Sequence, residues 1–174
     1  EAYDNTWADR HFPLDETGNL YRAMRDTPPS AFNWRGEDPG RYANTYFKES
    51  NASANDWTDL IQVHRIIGTN DLFTTENVAA VINVEQWMLH LAVMTLYANA
   101  ETGLNSGYND DYYLYRGVED PRFILLPHDL DSILGRASYG ADDGIFRCTT
   151  PNGAGETIDR LIRWPDFEPL YYAT

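Results

Sequence analysis

Cysteine is almost absent from this chain. Cys148 is the only one, which excludes an internal disulfide and any cysteine-based zinc site within the chain. Lysine is nearly as scarce, with Lys48 standing alone beside twelve arginines. No apolar run reaches the ~18 residues a membrane-spanning helix needs. Positive charge is short as a whole. Thirteen basic residues face 27 acidic ones, for a formal net charge of −14. Nucleic acid is therefore not an expected partner, since phosphate binding needs a basic footprint. Cations or a cationic partner are compatible with that balance. HExxH and H-x-x-x-H spacings are missing, which argues against a zinc hydrolase. No internal repeat is found, and no signal peptide is expected within this sequence. The chain opens EAYDNTWADR without a Met and closes LYYAT; the expectation is a piece of a longer protein.

The 174 residues, 43% of them hydrophobic, suit one domain with a core of its own. Residues 1–50 are punctuated by Pro13, Pro28, Pro29, Pro39, Gly36 and Gly40 and read as an irregular wrapping segment. Its many aromatic rings call for burial. Short strands are expected in it near 19–23 and 42–48. Residues 51–174 read as a helical core with a hairpin. Asn55–Asp56 are a plausible N-cap for a helix in which Trp57, Leu60, Ile61, His64 and Ile67 recur at helical spacing up to Gly68. A short helix is expected at 75–82. A long one at 84–98 is apolar nearly all round, the mark of a central, buried helix. His64 and His90 fall on apolar helix faces and read as core or rim histidines. Residues 112–116 and 122–126 predict a β-hairpin around Gly117–Pro121. Glycines through 135–155 predict a long exposed loop, and 156–163 a last amphipathic helix stopped by Pro165. The fold class is α+β, rich in helix.

The segment YYLYRGVEDPRFILLPHDLDSILG, residues 112–135, carries the chemistry. Two β-type runs lead directly into Asp129 and Asp131, a D-x-D pair. Buried carboxylates need partners, and a divalent cation is one. The competing reading is a turn in which both carboxylates cap the backbone of residues 132–135. Asp110 and Asp111 are either ligands or solvated acids before a strand. Glu101 is either a general base or an exposed loop residue. His128 either donates to a carboxylate or packs beside the strand end. Tyr112, Tyr113 and Tyr115 alternate across their strand, so one face is core and the other either lines a pocket or packs. Gly135 suits a turn with positive φ. Asn51–Ala52–Ser53 is a glycosylation sequon, relevant only in a eukaryotic secretory setting.

GNLYR (18–22), YFK (46–48), DWTDLI (56–61), LYANAE (96–101), DDYYLYR (110–116) and RFILLPHDLDSILG (122–135) occur in an order and spacing that resemble the CotH kinase family, atypical protein kinases first named from a spore-coat protein. The likeness covers most of residues 15–136, and the hairpin followed by the D-x-D turn is its specific part. It implies a kinase-like C-terminal lobe. It further implies that Asp129 holds Mg²⁺ against ATP phosphates, that Asp131 shares the ion or fixes the turn, and that Asp111 is the second metal ligand. The family's N-x-D catalytic pattern reads Asn99–Ala100–Glu101 here, with Glu101 as acceptor-orienting base and Asn99 positioning the loop. Asp110–Asp111 stand where the family has His-Asn, and His128 where it has Trp. Lys48 falls after the region where two kinase lobes would meet, and no Gly-rich phosphate loop precedes it.

The expected activity is ATP- and Mg²⁺-dependent phosphorylation of Ser or Thr on a coat or surface protein, in a secreted or cell-surface setting. The alternative is an inactive module whose acidic loop 99–111 binds Ca²⁺ or a neighbouring domain or subunit. A two-carboxylate hydrolase built on Glu101 and Asp129 is a weaker third reading.

Overall fold

The computed structural model describes residues 3–24, 31–97, 99, 104, 110–134 and 156–173. The elements are α1 (Asn5–His11), β1 (Asn19–Ala23), β2 (Tyr46–Lys48), α2 (Thr58–Gly68), α3 (Thr75–Val81), α4 (Val84–Leu96), β3 (Tyr112–Arg116), β4 (Ile124–Pro127), α5 (Glu156–Ile162) and α6 (Glu168–Tyr172). The fold is α+β. All four strands join one antiparallel sheet in the order β2-β1-β3-β4.

Side chains alternate across each strand, and β3 at the centre of the sheet is buried on both faces. Tyr21, Ala23, Tyr46, Tyr112, Leu114 and Leu125 face the main core, shared with Leu60, Ile67, Trp87 and Met88 of the helices. Leu20, Tyr113, Tyr115 and Leu126 face the other way and pack under Trp7 and Ala8 of α1. The second face of β3 thus packs against α1, in line with the packing reading. Phe12 stacks on Tyr115 at 4.8 Å between centroids, and Trp7 meets the same ring edge-on at 5.7 Å.

Helix α1 corrects the reading of residues 1–50 as irregular. Asp4 caps it by accepting from Trp7 N–H, yet seven residues with Trp7 and Ala8 as their buried apolar pair are too few to show a period. Strand β2 is also shorter than expected, because Pro39–Arg41 form a 3₁₀ turn capped by Asp38. Helix α2 starts after Asp56, whose carboxylate accepts from Thr58 N–H and Oγ1. It ends at Gly68, where a Cβ would lie 2.4 Å from the backbone nitrogen of Trp34, so only glycine allows the chain to pass. Thr74 and Asn83 cap α3 and α4.

Helix α4 is less enclosed than its composition predicts. It packs on β4 and α6, while Leu89 and Leu96 on its outer side are 50% and 65% exposed. The predicted loop at 135–155 lies outside the described residues.

The β3–β4 turn is held from a distance. The Asp15 carboxylate accepts from the N–H groups of Val118, Glu119 and Asp120 at 2.5, 2.8 and 3.0 Å. Burial works against the charge, but the three donors outweigh it and hold the carboxyl below its usual range. Gly117 makes room, since a Cβ there would fall 1.7 Å from Asp15 Oδ2.

Candidate functional site

Strand β4 delivers the D-x-D turn, and the corner between α3 and α4 fixes β4. Phe123 N–H donates to the Val81 carbonyl at 2.8 Å, and Asn83 N–H donates to the Phe123 carbonyl at 3.0 Å. Trp87 Nε1 donates to that same carbonyl at 2.8 Å. Gln86 then grips Leu125, donating to its carbonyl at 2.7 Å and accepting from its N–H at 2.9 Å. An edge strand exposes unpaired backbone groups; here a side-chain amide serves as the missing strand.

Two further segments converge on the turn. In the β3–β4 register Tyr112 is opposite Pro127, and His128 N–H donates to the Asp111 carbonyl at 3.3 Å. This sets Asp111 beside the residue that precedes Asp129. The end of α4 arrives from the other side. Leu134 N–H donates to the Tyr97 carbonyl at 2.7 Å, and Ser132 Oγ donates to Asn99 Oδ1 at 3.4 Å. Asn99 is fully buried, its N–H bonded to the Met94 carbonyl at 3.0 Å and its Nδ2 to Met94 Sδ at 3.5 Å. Asp111, Asp129 and Leu134 all have positive φ, at 56°, 49° and 56°. Asp tolerates that conformation better than most residues, whereas Leu does not, so the turn is held by its surroundings.

The predicted residues are therefore brought together in part. Asn99, Asp111 and the Asp129–Asp131 turn meet at one end of the hairpin. Glu101 lies outside the described residues. Asp110 and Asp111 are half-buried, while Asp129 and Asp131 are exposed. Among the described residues, no three His, Cys, Asp or Glu side chains group so as to hold a metal ion, so Asp111, Asp129 and Asp131 do not make a three-carboxylate cluster by themselves. The expected capping of residues 132–134 by the two carboxylates is not seen among the described residues either. His128 meets the Tyr113 ring edge-on at 5.1 Å, in line with the packing reading. The donor set still suits a hard cation. Mg²⁺ commonly takes one or two carboxylates and completes its shell with water and phosphate oxygens.

Ser132 was not a sequence candidate. It sits inside D-x-D-S-x-x-G as an ordinary small polar residue, and only its near-complete burial sets it apart. Lys48 is another surprise. Strand alternation puts it on the core face with Tyr46, and it is 5% exposed. Its Nζ donates to Tyr21 Oη at 2.6 Å and lies 4.3 Å above the centre of that ring. Tyr21 in turn donates to Asp59 Oδ1 at 2.6 Å, and Asn19 Nδ2 donates to Oδ2 at 2.7 Å.

A buried hydrogen-bond chain runs behind the site. His64 Nδ1 is 3.0 Å from the Asn33 carbonyl, His64 Nε2 is 3.0 Å from Tyr46 Oη, and Tyr46 Oη is 2.8 Å from Tyr112 Oη. A carbonyl can only accept, so Nδ1 carries the proton. The neutral ring then accepts from Tyr46, and Tyr46 accepts from Tyr112. Burial holds the His64 imidazole down at about 3, which keeps it neutral. Tyr112 directly follows Asp111, so this chain anchors the strand end that carries it.

Two concavities lie elsewhere. One of about 420 Å³ is lined by Glu37, Asp56, Trp57 and Arg65, the other of about 330 Å³ by Asn83, Arg122 and Asp166. None of the predicted site residues lines either. Among the described residues, no helix is long and apolar enough to cross a membrane.

The motifs that converge here are those on which the family likeness rests. No curated protein matches the chain. The sequence profile of the family described as CotH kinase protein matches residues 1–174, and the chain belongs to that family.

Proposed function

We propose that this chain is the C-terminal-lobe portion of a kinase-like phosphotransferase that uses ATP and Mg²⁺ to phosphorylate a hydroxyl of a protein substrate, in a secreted or cell-surface setting. One observation carries the reading. The segment holding Asn99 is hydrogen-bonded to the segment holding Asp129 and Asp131, so the residues assigned to acceptor and to metal belong to one assembly. Family membership supports the reaction class.

When bound, Mg²⁺ neutralises the charge that develops on the transferred phosphoryl group. The Asp129 and Asp131 carboxylates supply hard oxygen ligands, and Asp111 stands beside them. Glu101 orients the acceptor hydroxyl and takes its proton. Asn99 holds the backbone that carries Glu101. Phosphoryl transfer needs little covalent work from the protein, so most of the rate comes from alignment and charge stabilisation.

The test is thermal unfolding with and without ATP·Mg²⁺, alongside transfer of labelled phosphate. The expected result is a Tm rise that Asp129→Ala abolishes. Glu101→Gln should keep the rise and lose about 10²–10⁴-fold in turnover. A full Tm rise and full phosphate transfer in Asp129→Ala would refute the assignment. The departures at Glu101 and Asp111 from the family's Asp and Asn favour a second reading, an inactive module that binds Ca²⁺ or a neighbouring subunit. That reading requires a Tm rise with Ca²⁺ alone and none with ATP·Mg²⁺.

A further inference from the structure

We infer that Ser132 is a positioning residue that sets the acceptor-side loop from the metal-side turn by acting through Asn99. The inference rests on the phosphotransferase reading above and extends it to a residue of the D-x-D segment to which the resemblance assigns no role.

The geometry is specific to Ser132. It is the one residue of the Asp129–Leu134 turn that is fully buried, at 5% exposure. Its neighbours Asp129, Leu130 and Asp131 are exposed. Its hydroxyl is buried and donates to Asn99 Oδ1 at 3.4 Å. A buried hydroxyl needs a partner, and this one lies 33 residues away on the other functional segment. A second contact backs it, the 2.7 Å bond from Leu134 N–H to the Tyr97 carbonyl. The two bonds reach the C-cap of α4, Tyr97, and Asn99 just beyond it. They fix the distance and angle between Asn99, two residues before Glu101, and Asp131, one residue before Ser132. A hydroxyl-to-amide bond of this kind moves no proton in the reaction. It acts by alignment, where a displacement of about 1 Å is worth about 100-fold in rate.

The test uses the full chain with Ser132→Ala and Ser132→Thr, read in three ways: Tm with ATP·Mg²⁺, the Asn99 side-chain amide signals in a ¹⁵N–¹H spectrum, and phosphate transfer from labelled ATP. Ser132→Ala is expected to keep the ATP·Mg²⁺ shift and the KM for ATP within about twofold, to move the Asn99 signals, and to lower kcat by about 10–100-fold. Ser132→Thr keeps the hydroxyl and should restore both the signals and kcat. An Ala variant with unchanged Asn99 signals or unchanged kcat overturns the inference while the ATP·Mg²⁺ shift stands. An Ala variant that loses the shift together with kcat overturns it too, because Ser132 then belongs to nucleotide binding. A parent chain with no ATP·Mg²⁺ shift removes the phosphotransferase reading itself, and the positioning role with it.

Discussion

Gln86 and Leu125 form a closed pair in which a side-chain amide replaces a β-strand. The amide donates to the Leu125 carbonyl at 2.7 Å and accepts from its N–H at 2.9 Å. Leu125 is buried, so water cannot take over either bond. Gln86→Leu is expected to cost about 2–6 kcal/mol, since it leaves two backbone groups unsatisfied at about 1–3 kcal/mol each. Urea unfolding measures this. Gln86→Glu should recover part of the loss, because it keeps an acceptor for the N–H. Equal stability of Gln86→Leu and the parent would show that β4 is held by other means.

Lys48 and Tyr21 should respond in opposite ways to substitution. Burial pushes the Lys48 ammonium down from its ordinary range, so its charge is carried at a cost in the fold. Lys48→Met removes that charge and keeps most of the apolar stem. Its expected effect is within about 1 kcal/mol of zero, or stabilising. Tyr21→Phe deprives both Lys48 and Asp59 of a partner at once and should cost about 2–3 kcal/mol. Paired denaturation curves decide the matter, and a more damaging Lys48→Met would reverse this account.

The two buried histidines set an acid limit. Burial lowers His64 to about 3 and His90 to about 4, against about 6.5 in the unfolded chain. The folded state therefore binds fewer protons than the unfolded state between those values. Stability is fully present above pH 6.5 and falls as pH drops toward the folded pKa, by up to about 1.4 kcal/mol per pH unit for each ring. Unfolding free energies at pH 7.5, 6 and 5 test this above most carboxylate titration. His90→Gln should flatten the slope by about half. A flat profile over that window would refute the assignment.

Trp7 tests whether α1 is part of the fold. It is buried against Tyr113, Tyr115 and Leu126. Trp7→Ala is expected to cost about 3–5 kcal/mol and to increase hydrogen exchange in β3. A cost under about 1 kcal/mol would mean that the sheet does not need this cover.

What was legible beforehand followed local rules. Asp56 and Gly68 marked the ends of α2 because capping and helix termination are signalled by neighbours in the chain, although the close approach of Gly68 to Trp34 was not. Tyr112–Arg116 and the run ending at Leu126 were readable because a hairpin is a local pairing. The D-x-D turn could be located in the sequence as the end of the hairpin, and Asn99 was singled out only through the family resemblance. Helix α1 was hidden because its seven residues take their stability from Tyr113 and Tyr115, about a hundred residues further on. Ser132 and Lys48 were hidden because polarity in a sequence does not reveal burial.

Composition and local pattern by themselves determined the α+β class, the hairpin, the helices α2 to α4, and the family resemblance. The tertiary structure alone decided that both faces of β3 are covered, that Gln86 completes β4, and that Ser132 meets Asn99. The reason is physical. Capping, turn geometry and periodicity depend on residues within a few positions of one another, whereas burial and long-range hydrogen bonds depend on which distant segments the whole fold brings into contact.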